Sequence, residues 1–470
     1  MPDQPEPLPA ERHAPAGGFR TFVTLWASQS LSVIGSAVAS FAFNIYLTQT
    51  LYPRPEQKPE LAIALAMTAL AFSVTAIVGA PIAGAWADRH DRRRIMLTCD
   101  VLSAALAFTL AVVLLLFKPP LALLIVLIAA TGLVSTFHGS AFDTSYATLV
   151  PRDQLPRANG MMQTIWSLSG LASPALAAII VGLPALARRD GSVPWLANFE
   201  SGVPLALLVD GVTFLAAALV VWRLSIPSPH VDAAAPKRSL LADVGIGWRY
   251  ILDRRALLWL LLTFALANFV GSPVGVFEAL LVKFNLRPDW VARGYTFETA
   301  LALIATMYSV GGVLGGVMIS AWGGLRRRRV LGVLVPMIAS GAAQVAFGMS
   351  GMLYASGAAL LALGFMTPIL NAHSQSIWQA QVPSELQGRV FSVRRLIAQF
   401  TTPVSIGLAG ILAGIFDPGR VVSALGMILA VFCALQLLNP ALRRVEDREW
   451  LESEASRRAL ARANDGTAPS

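Results

Sequence analysis

The feature that most constrains this chain is a run of apolar residues, repeated twelve times, each long enough to cross a bilayer as a helix. A crossing helix needs roughly 20 largely apolar residues, because the hydrocarbon core is about 30 Å thick and an α-helix rises about 1.5 Å per residue. Such runs lie at about 21–48, 61–86, 95–117, 121–147, 160–186, 203–222, 257–282, 298–322, 330–349, 353–380, 393–414 and 420–439. The connectors are short and carry Pro, Gly or charge, as in Tyr52-Pro53-Arg54-Pro55, Lys118-Pro119-Pro120 and Asp417-Pro418-Gly419. With 55% hydrophobic and only 13% charged residues, the chain cannot clothe itself in polar surface, since soluble domains carry about 25% charged residues. The excess faces lipid, and the fold class is an all-α polytopic membrane protein.

One longer hydrophilic stretch, 223–256, separates two halves of six spans. The expected division is an N-terminal tail at 1–20, a six-helix bundle at 21–222, the central loop, a second bundle at 257–439 and a C-terminal tail at 440–470. The central loop ends in Asp243–Leu252, which reads as an amphipathic helix at the membrane surface. The first twenty residues contain Pro and charge and lead into a full-length span, so they do not read as a cleavable signal peptide. With the N-terminus inside, 27 of the 36 Lys and Arg residues fall on the inner side and nine on the outer. That excess is what the positive-inside rule demands. Both termini are therefore expected in the cytoplasm, with the chain in a bacterial cytoplasmic membrane. The run Arg326-Arg327-Arg328-Arg329 is then a topology signal, and the net charge of +9 calls for no nucleic-acid partner. The halves also echo each other. Leu149-Val150-Pro151 with Pro156-Arg157 stands 232 residues before Gln381-Val382-Pro383 with Gly388-Arg389. Parallel repeats of this kind belong to transporters whose halves rock about a central site.

After the second span comes Gly84-Ala85-Trp86-Ala87-Asp88-Arg89-His90-Asp91-Arg92-Arg93-Arg94. This G-x-x-x-D-R-x-x-R-R pattern suits a conformational latch. Gly84 permits close helix approach, Asp88 accepts charge-assisted hydrogen bonds or caps a helix N-terminus, and Arg89, Arg92 and Arg93 bridge acids or lipid phosphates. The loop resembles the signature loop of the major facilitator superfamily. The first span, Leu25 to Ser36, together with Asp100 and Gln387-Gly388-Arg389-Val390-Phe391, resembles its drug-exporting branch, which contains macrolide-efflux proteins and the enterobactin exporter. The resemblance implies two six-helix bundles around a cavity that opens alternately to each side. Asp100 is expected to partner the arginine-rich loop. The matching loop of the second half, Gly323-Gly324-Leu325-Arg326, keeps glycine and arginine but lacks the acid.

In the first span Gln29, Ser32, Ser36, Ser40 and Asn44 recur every three or four residues, a polar stripe on one helical face. Asn268 in the seventh span and Asn371, Gln375 and Trp378 in the tenth extend the theme. Such groups line a cavity or glue helices together. Trp26, Trp166, Phe264 and Trp378 offer aromatic surface to an apolar substrate. Acids within spans are expensive unless partnered or wetted, so Glu278, Asp210 and Asp143 are the candidates for reversible proton binding. His138 and His373 are further in-span titratable groups. Gly311-Gly312 and Gly315-Gly316 form a small-residue face for tight helix contact. Cys99 and Cys433 lack partners at metal or redox spacing and read as small apolar residues.

The sequence has no G-x-x-x-x-G-K-[ST] phosphate loop, which argues against an ATP-driven pump, and no nucleophile–base pair or metal cluster that would make an enzyme. The expected function is export of small amphipathic molecules, a drug or a siderophore-like natural product, by proton antiport. The expected partners are that substrate, protons and membrane lipids, with a monomeric chain and the proton gradient in place of any cofactor. The alternatives are an importer or lipid transporter on the same scaffold and, more remotely, a membrane enzyme or sensor.

Overall fold

A computed structural model describes residues 17–87, 89–151, 154–191, 193–226 and 240–464. Twelve helices among the described residues are long and apolar enough to cross a membrane. They are α1 (Gly18–Ile45), α2 (Lys58–Ala87), α3 (Arg92–Leu116), α4 (Leu121–Leu149), α5 (Leu155–Asp190) and α6 (Val203–Arg223) in the first half. The second half holds α7 (Arg255–Gly271), α8 (Phe297–Trp322), α9 (Leu331–Met349), α10 (Leu353–Gln381), α11 (Ser384–Ile415) and α12 (Pro418–Gln436). The boundaries follow local chemistry. The Asp91, Thr296 and Asp417 side chains accept the backbone N–H groups of Arg94, Thr299 and Arg420, capping α3, α8 and α12, since the first turn of a helix has no internal acceptors. Gly323 ends α8 at φ 78°, a left-handed turn that a side chain would resist.

Helix pairings repeat between the halves. In the first, α1 packs on α5 and α6, α2 on α4, and α3 on α4 and α6. Six helices later, α7 packs on α11 and α12, α8 on α10, and α9 on α10 and α12. The short echo at Val150-Pro151 and Val382-Pro383 is thus the visible part of a structural repeat. The first helix of each half also ends alike: α1 runs into a wide i→i+5 turn at Tyr46–Leu51, and α7, after a break at Ser272-Pro273, into another at Leu281–Asn285.

Two helices outside the spans pack beneath the second half. Leu240–Leu252 covers the whole of the predicted surface helix, and Gly247 sits so close to the Arg389 carbonyl that a Cβ would collide with it. The helix therefore docks on α11 and not on lipid alone. A second, Arg448–Asn464, was not foreseen from the sequence; Glu454 accepts the Arg255 backbone N–H at 3.2 Å and Arg458 donates to the Leu252 carbonyl at 2.6 Å.

Candidate functional site: the cleft between the two halves

Among the described residues, buried apolar side chains fall into three clusters, and their membership defines the cleft. One cluster draws on both halves at the end remote from the termini: Val38 to Leu47, Leu61 to Ala66, Val276 to Leu286, Phe297 to Ile304 and Ile406 to Ala413. The other two lie at the end nearer the termini, and each belongs to one half. Phe22, Met96, Phe142 and Val221 belong to the first, and Leu257, Val333, Trp378 and Val393 to the second. The halves therefore share one core at the far end and separate at the near end.

Polar bonds reinforce the far end. The Lys283 ammonium, in the wide turn after α7, donates to the Thr48 carbonyl at 2.5 Å and to the Tyr52 carbonyl, in the wide turn after α1. Lys283 is buried, at 9% exposure. The helix C-terminal carbonyls carry partial negative charge and lack internal donors, so a cation is the natural cap. Lys58 at the start of α2 donates to the Phe416 carbonyl after α11 at 2.7 Å. Along α2 and α11, Gly414 faces Pro59 and Gly410 faces Ala62 and Ala66. Across the other seam, Ser309 of α8 donates to the Gly170 carbonyl of α5 at 2.7 Å.

The predicted latch behaves differently from expectation. Asp88 lies outside the described residues. Arg92 donates to the Ala87 and Thr144 carbonyls and Arg93 to those of Val221 and Trp222, so both fasten α3 to neighbours within its own half. Arg89 is exposed. A Cβ at Gly84 would meet nothing within 4 Å. Gly84 is therefore not a point of close helix approach here, because the halves stand apart at this end. Asp100 does not reach the arginine-rich loop either. Fully buried, it accepts from the Gln29 amide at 3.2 Å, with the His138 imidazole 3.2 Å away.

The polar stripe of α1 divides. Gln29 is turned to Asp100, and Ser36 donates to Asp210 at 2.9 Å, so both join helices inside the first half. Ser32 is buried with its hydroxyl unpartnered, Asn44 is half-buried and Ser40 exposed. Trp26 donates to the Met161 carbonyl, and Trp166 is 61% exposed. In the second half Asn371 is exposed and Asn268 half-buried. Trp378 is fully buried, which removes it from any surface that a substrate touches in this conformation. Beside it, and unpredicted, lies Arg394 of α11. Its guanidinium donates to Gln375 at 2.8 Å and sits 5.6 Å from the Trp378 ring centroid and 5.8 Å from that of Phe264. Among the described residues no carboxylate lies within ion-pair distance of it.

The three acids have distinct surroundings. Asp210 is partnered by Ser36. Asp143 is exposed, with Arg395 of α11 and His138 within electrostatic reach. Glu278 lies in the short helix Val274–Leu280, seven residues before Asn285, or about 10 Å below the far end at 1.5 Å per residue. Its Oε1 is enclosed and without a hydrogen-bond partner. Val276, Phe277, Ala279 and Leu280 around it belong to the shared core, and Tyr308 of α8 is within electrostatic reach. Among the described residues no group of three His, Cys, Asp or Glu side chains converges on a metal-sized site.

The family model described as Major Facilitator Superfamily matches residues 25–406. The chain belongs to the major facilitator superfamily. It is a transporter, not an enzyme, and a multi-pass protein of the bacterial inner membrane. Macrolide efflux protein A of Streptococcus pyogenes is 24% identical over 83% of this chain and 89% of its own length. The enterobactin exporter of Shigella flexneri is 24% identical over 77% and 79% respectively. Among solved structures, the nucleoside transporter NupG aligns with a TM-score of 0.66 at 11% identity, covering 88% of this chain and 99% of that one. A bacterial homologue of the iron transporter ferroportin, in an inward-facing state, aligns at 0.60 with 18% identity, covering 92% and 99%. These likenesses carry the two-bundle fold.

Proposed function

We propose that this superfamily member exports small amphipathic molecules, a drug or a siderophore-like natural product, by exchanging them for protons as its cleft opens alternately to each side. The excess of Lys and Arg at the end near the termini orients that end to the cytoplasm. The described conformation is then open inward and sealed outward. The curated relatives named for macrolide efflux and enterobactin export support the outward direction and the substrate class.

The observation that carries the coupling is Glu278. An enclosed carboxylate oxygen without a donor is expensive inside a span, and protonation removes most of that cost. Opening the outer seal would wet Glu278 and give it access to external protons. Closing the seal encloses it again; substrate entering the inward-open cleft then competes with the bound proton, which is released to the inner side before the substrate is carried out. Asp143 and Asp210 are secondary carriers in this reading, one exposed near the inner end and the other held by Ser36. Ser40, Asn44, Trp166, Asn268 and Asn371 are the accessible candidates for touching substrate. Inside-out vesicles supplied with erythromycin and an imposed pH gradient test the reading. Gradient-driven accumulation by wild type, lost in Glu278→Gln, is the expected result; accumulation indifferent to the gradient would rule out antiport.

A further inference from the structure

The first half contains a second buried carboxyl whose setting differs from that of Glu278. We propose that Asp100 and His138 form a proton-binding pair, a second proton site separate from Glu278. Asp100 on α3 is fully buried, and His138 on α4 keeps 18% of its side chain exposed. Asp100 Oδ1 and His138 Nε2 lie 3.2 Å apart, yet neither atom has an aligned hydrogen-bond partner. The other carboxylate oxygen, Oδ2, accepts from the neutral Gln29 amide of α1. Met96, Cys99 and Phe142 make the surroundings apolar.

Among the described residues, His138 is the group within ion-pair distance of Asp100. On α3 itself Arg92 and Arg93 are engaged with main-chain carbonyls and Arg94 pairs with Asp91. On α6, Asp210 is bonded by Ser36, and Arg223 stands at the helix end. On α4, Asp143 follows His138 by five residues and lies within electrostatic reach of both His138 and Arg395 of α11. Without a bound proton the pair carries one buried negative charge, whose hydrogen-bond partner among the described residues is the Gln29 amide. Taking one proton from water cancels that charge, whether the proton rests on the imidazole or the carboxyl. His138 is the wetted member, so the proton enters on its ring and reaches Asp100 across the 3.2 Å gap. It leaves by the same route. Because α1, α3 and α4 all contribute, the charge of the pair bears on how the helices of this half sit together. Proton binding stands on the geometry alone; its use in transport rests on the antiport reading above.

Proton uptake by the purified full chain in nanodiscs, moved from about pH 8 to about pH 5 across the normal histidine range, tests the pair directly. His138→Gln takes up about one proton fewer than wild type whether or not the two groups interact. Asp100→Asn decides: in a pair it loses that same proton, because the carboxylate that draws it is gone, and the double variant loses no more. Uptake by Asp100→Asn equal to wild type would overturn the proposal. Where Asp100→Asn fails to fold, the ring-nitrogen resonances of His138, assigned among the five histidines by loss in His138→Gln, decide in wild type. Titration in two coupled steps supports the pair, and a single independent step contradicts it. For the transport role, gradient-driven erythromycin accumulation by Asp100→Asn should fall about tenfold while erythromycin exchange without a gradient persists. Retained accumulation would overturn that role. Should wild type ignore the gradient, the antiport reading fails, and the proton counts still decide whether the pair binds a proton.

Discussion

At the scale of single residues, the most informative side chain is Lys283. Its partners are main-chain carbonyls about 230 residues away, at Thr48 and Tyr52, so no motif or spacing in the sequence announces the contact. Hydrogen bonds from a charged donor contribute about 1.5–3 kcal/mol each. Lys283→Met should therefore shift the balance between sealed and open outer ends by roughly tenfold or more toward open. Spin-label distances across the Thr50–Arg287 region would show a longer population growing in the variant; an unchanged distribution would mean that the apolar core alone holds the seal. Asp100 teaches the converse lesson. Its position in the sequence suggested a partner for the arginine loop, whereas folding buries it against His138, 38 residues on. Proximity in sequence to four arginines misled because Arg92 and Arg93 are turned to the main-chain carbonyls of Thr144 and Val221 on neighbouring helices.

At the scale of elements, the spans were legible because bilayer thickness fixes how long an apolar run must be. The helices that overshoot those runs, such as α5 at Leu155–Asp190, extend into water, where apolar content no longer marks them. The Arg448–Asn464 helix escaped for the same reason, its surface being mostly charged. The glycine face of α8 was legible as a pattern, though only half of it is used. A Cβ at Gly311 or Gly315 would collide with the Leu361 or Phe365 carbonyl of α10, while Gly316 faces open space and Gly312 has only a distant neighbour. Gly311→Ala should lower stability by about 1–3 kcal/mol through overpacking, and Gly316→Ala should be neutral or better; thermal unfolding in detergent separates them. In the connector between the wide turn after α7 and α8, Asp289 accepts from Arg293 at 2.9 Å and from the Leu353 backbone N–H at 2.8 Å. These bonds, that from Arg293 foremost, hold its carboxyl below the usual carboxylate range. A carboxylate so depressed contributes stability that is present above about pH 4, the unfolded value, and lost as pH falls through the folded one. Amide exchange at Leu353 should thus stay slow at neutral pH and quicken only under strong acid, with Asp289→Asn fast throughout; protection that survives in the variant would locate the restraint elsewhere.

At the scale of the whole molecule, the arrangement of cores explains how one conformation can be both stable and poised to change. The far end is joined by a core drawn from both halves, whereas the near end keeps two separate cores. The hydrophobic effect is roughly proportional to buried area, so in the proposed alternating access only the far-end contact has to be exchanged for a near-end one. Gly84, with no neighbour within 4 Å here, is placed to matter only in the other state. Gly84→Leu should leave the described conformation intact and trap it, which appears as normal expression and folding with transport lost. The repeat and the two-bundle fold could be read from the sequence, but which polar residues line the cleft could not. The periodicity of the α1 stripe marks a face and not what covers it, and Gln29 and Ser36 turned out to be spoken for within their own half. The central claim is proton-driven export through Glu278. The measurement that bears on it most directly is efflux of erythromycin from cells expressing wild type or Glu278→Gln, with and without a protonophore. The account predicts wild-type efflux that collapses with the protonophore and falls about tenfold or more in the variant. Wild-type efflux that persists undiminished in the protonophore, or in Glu278→Gln, would contradict it.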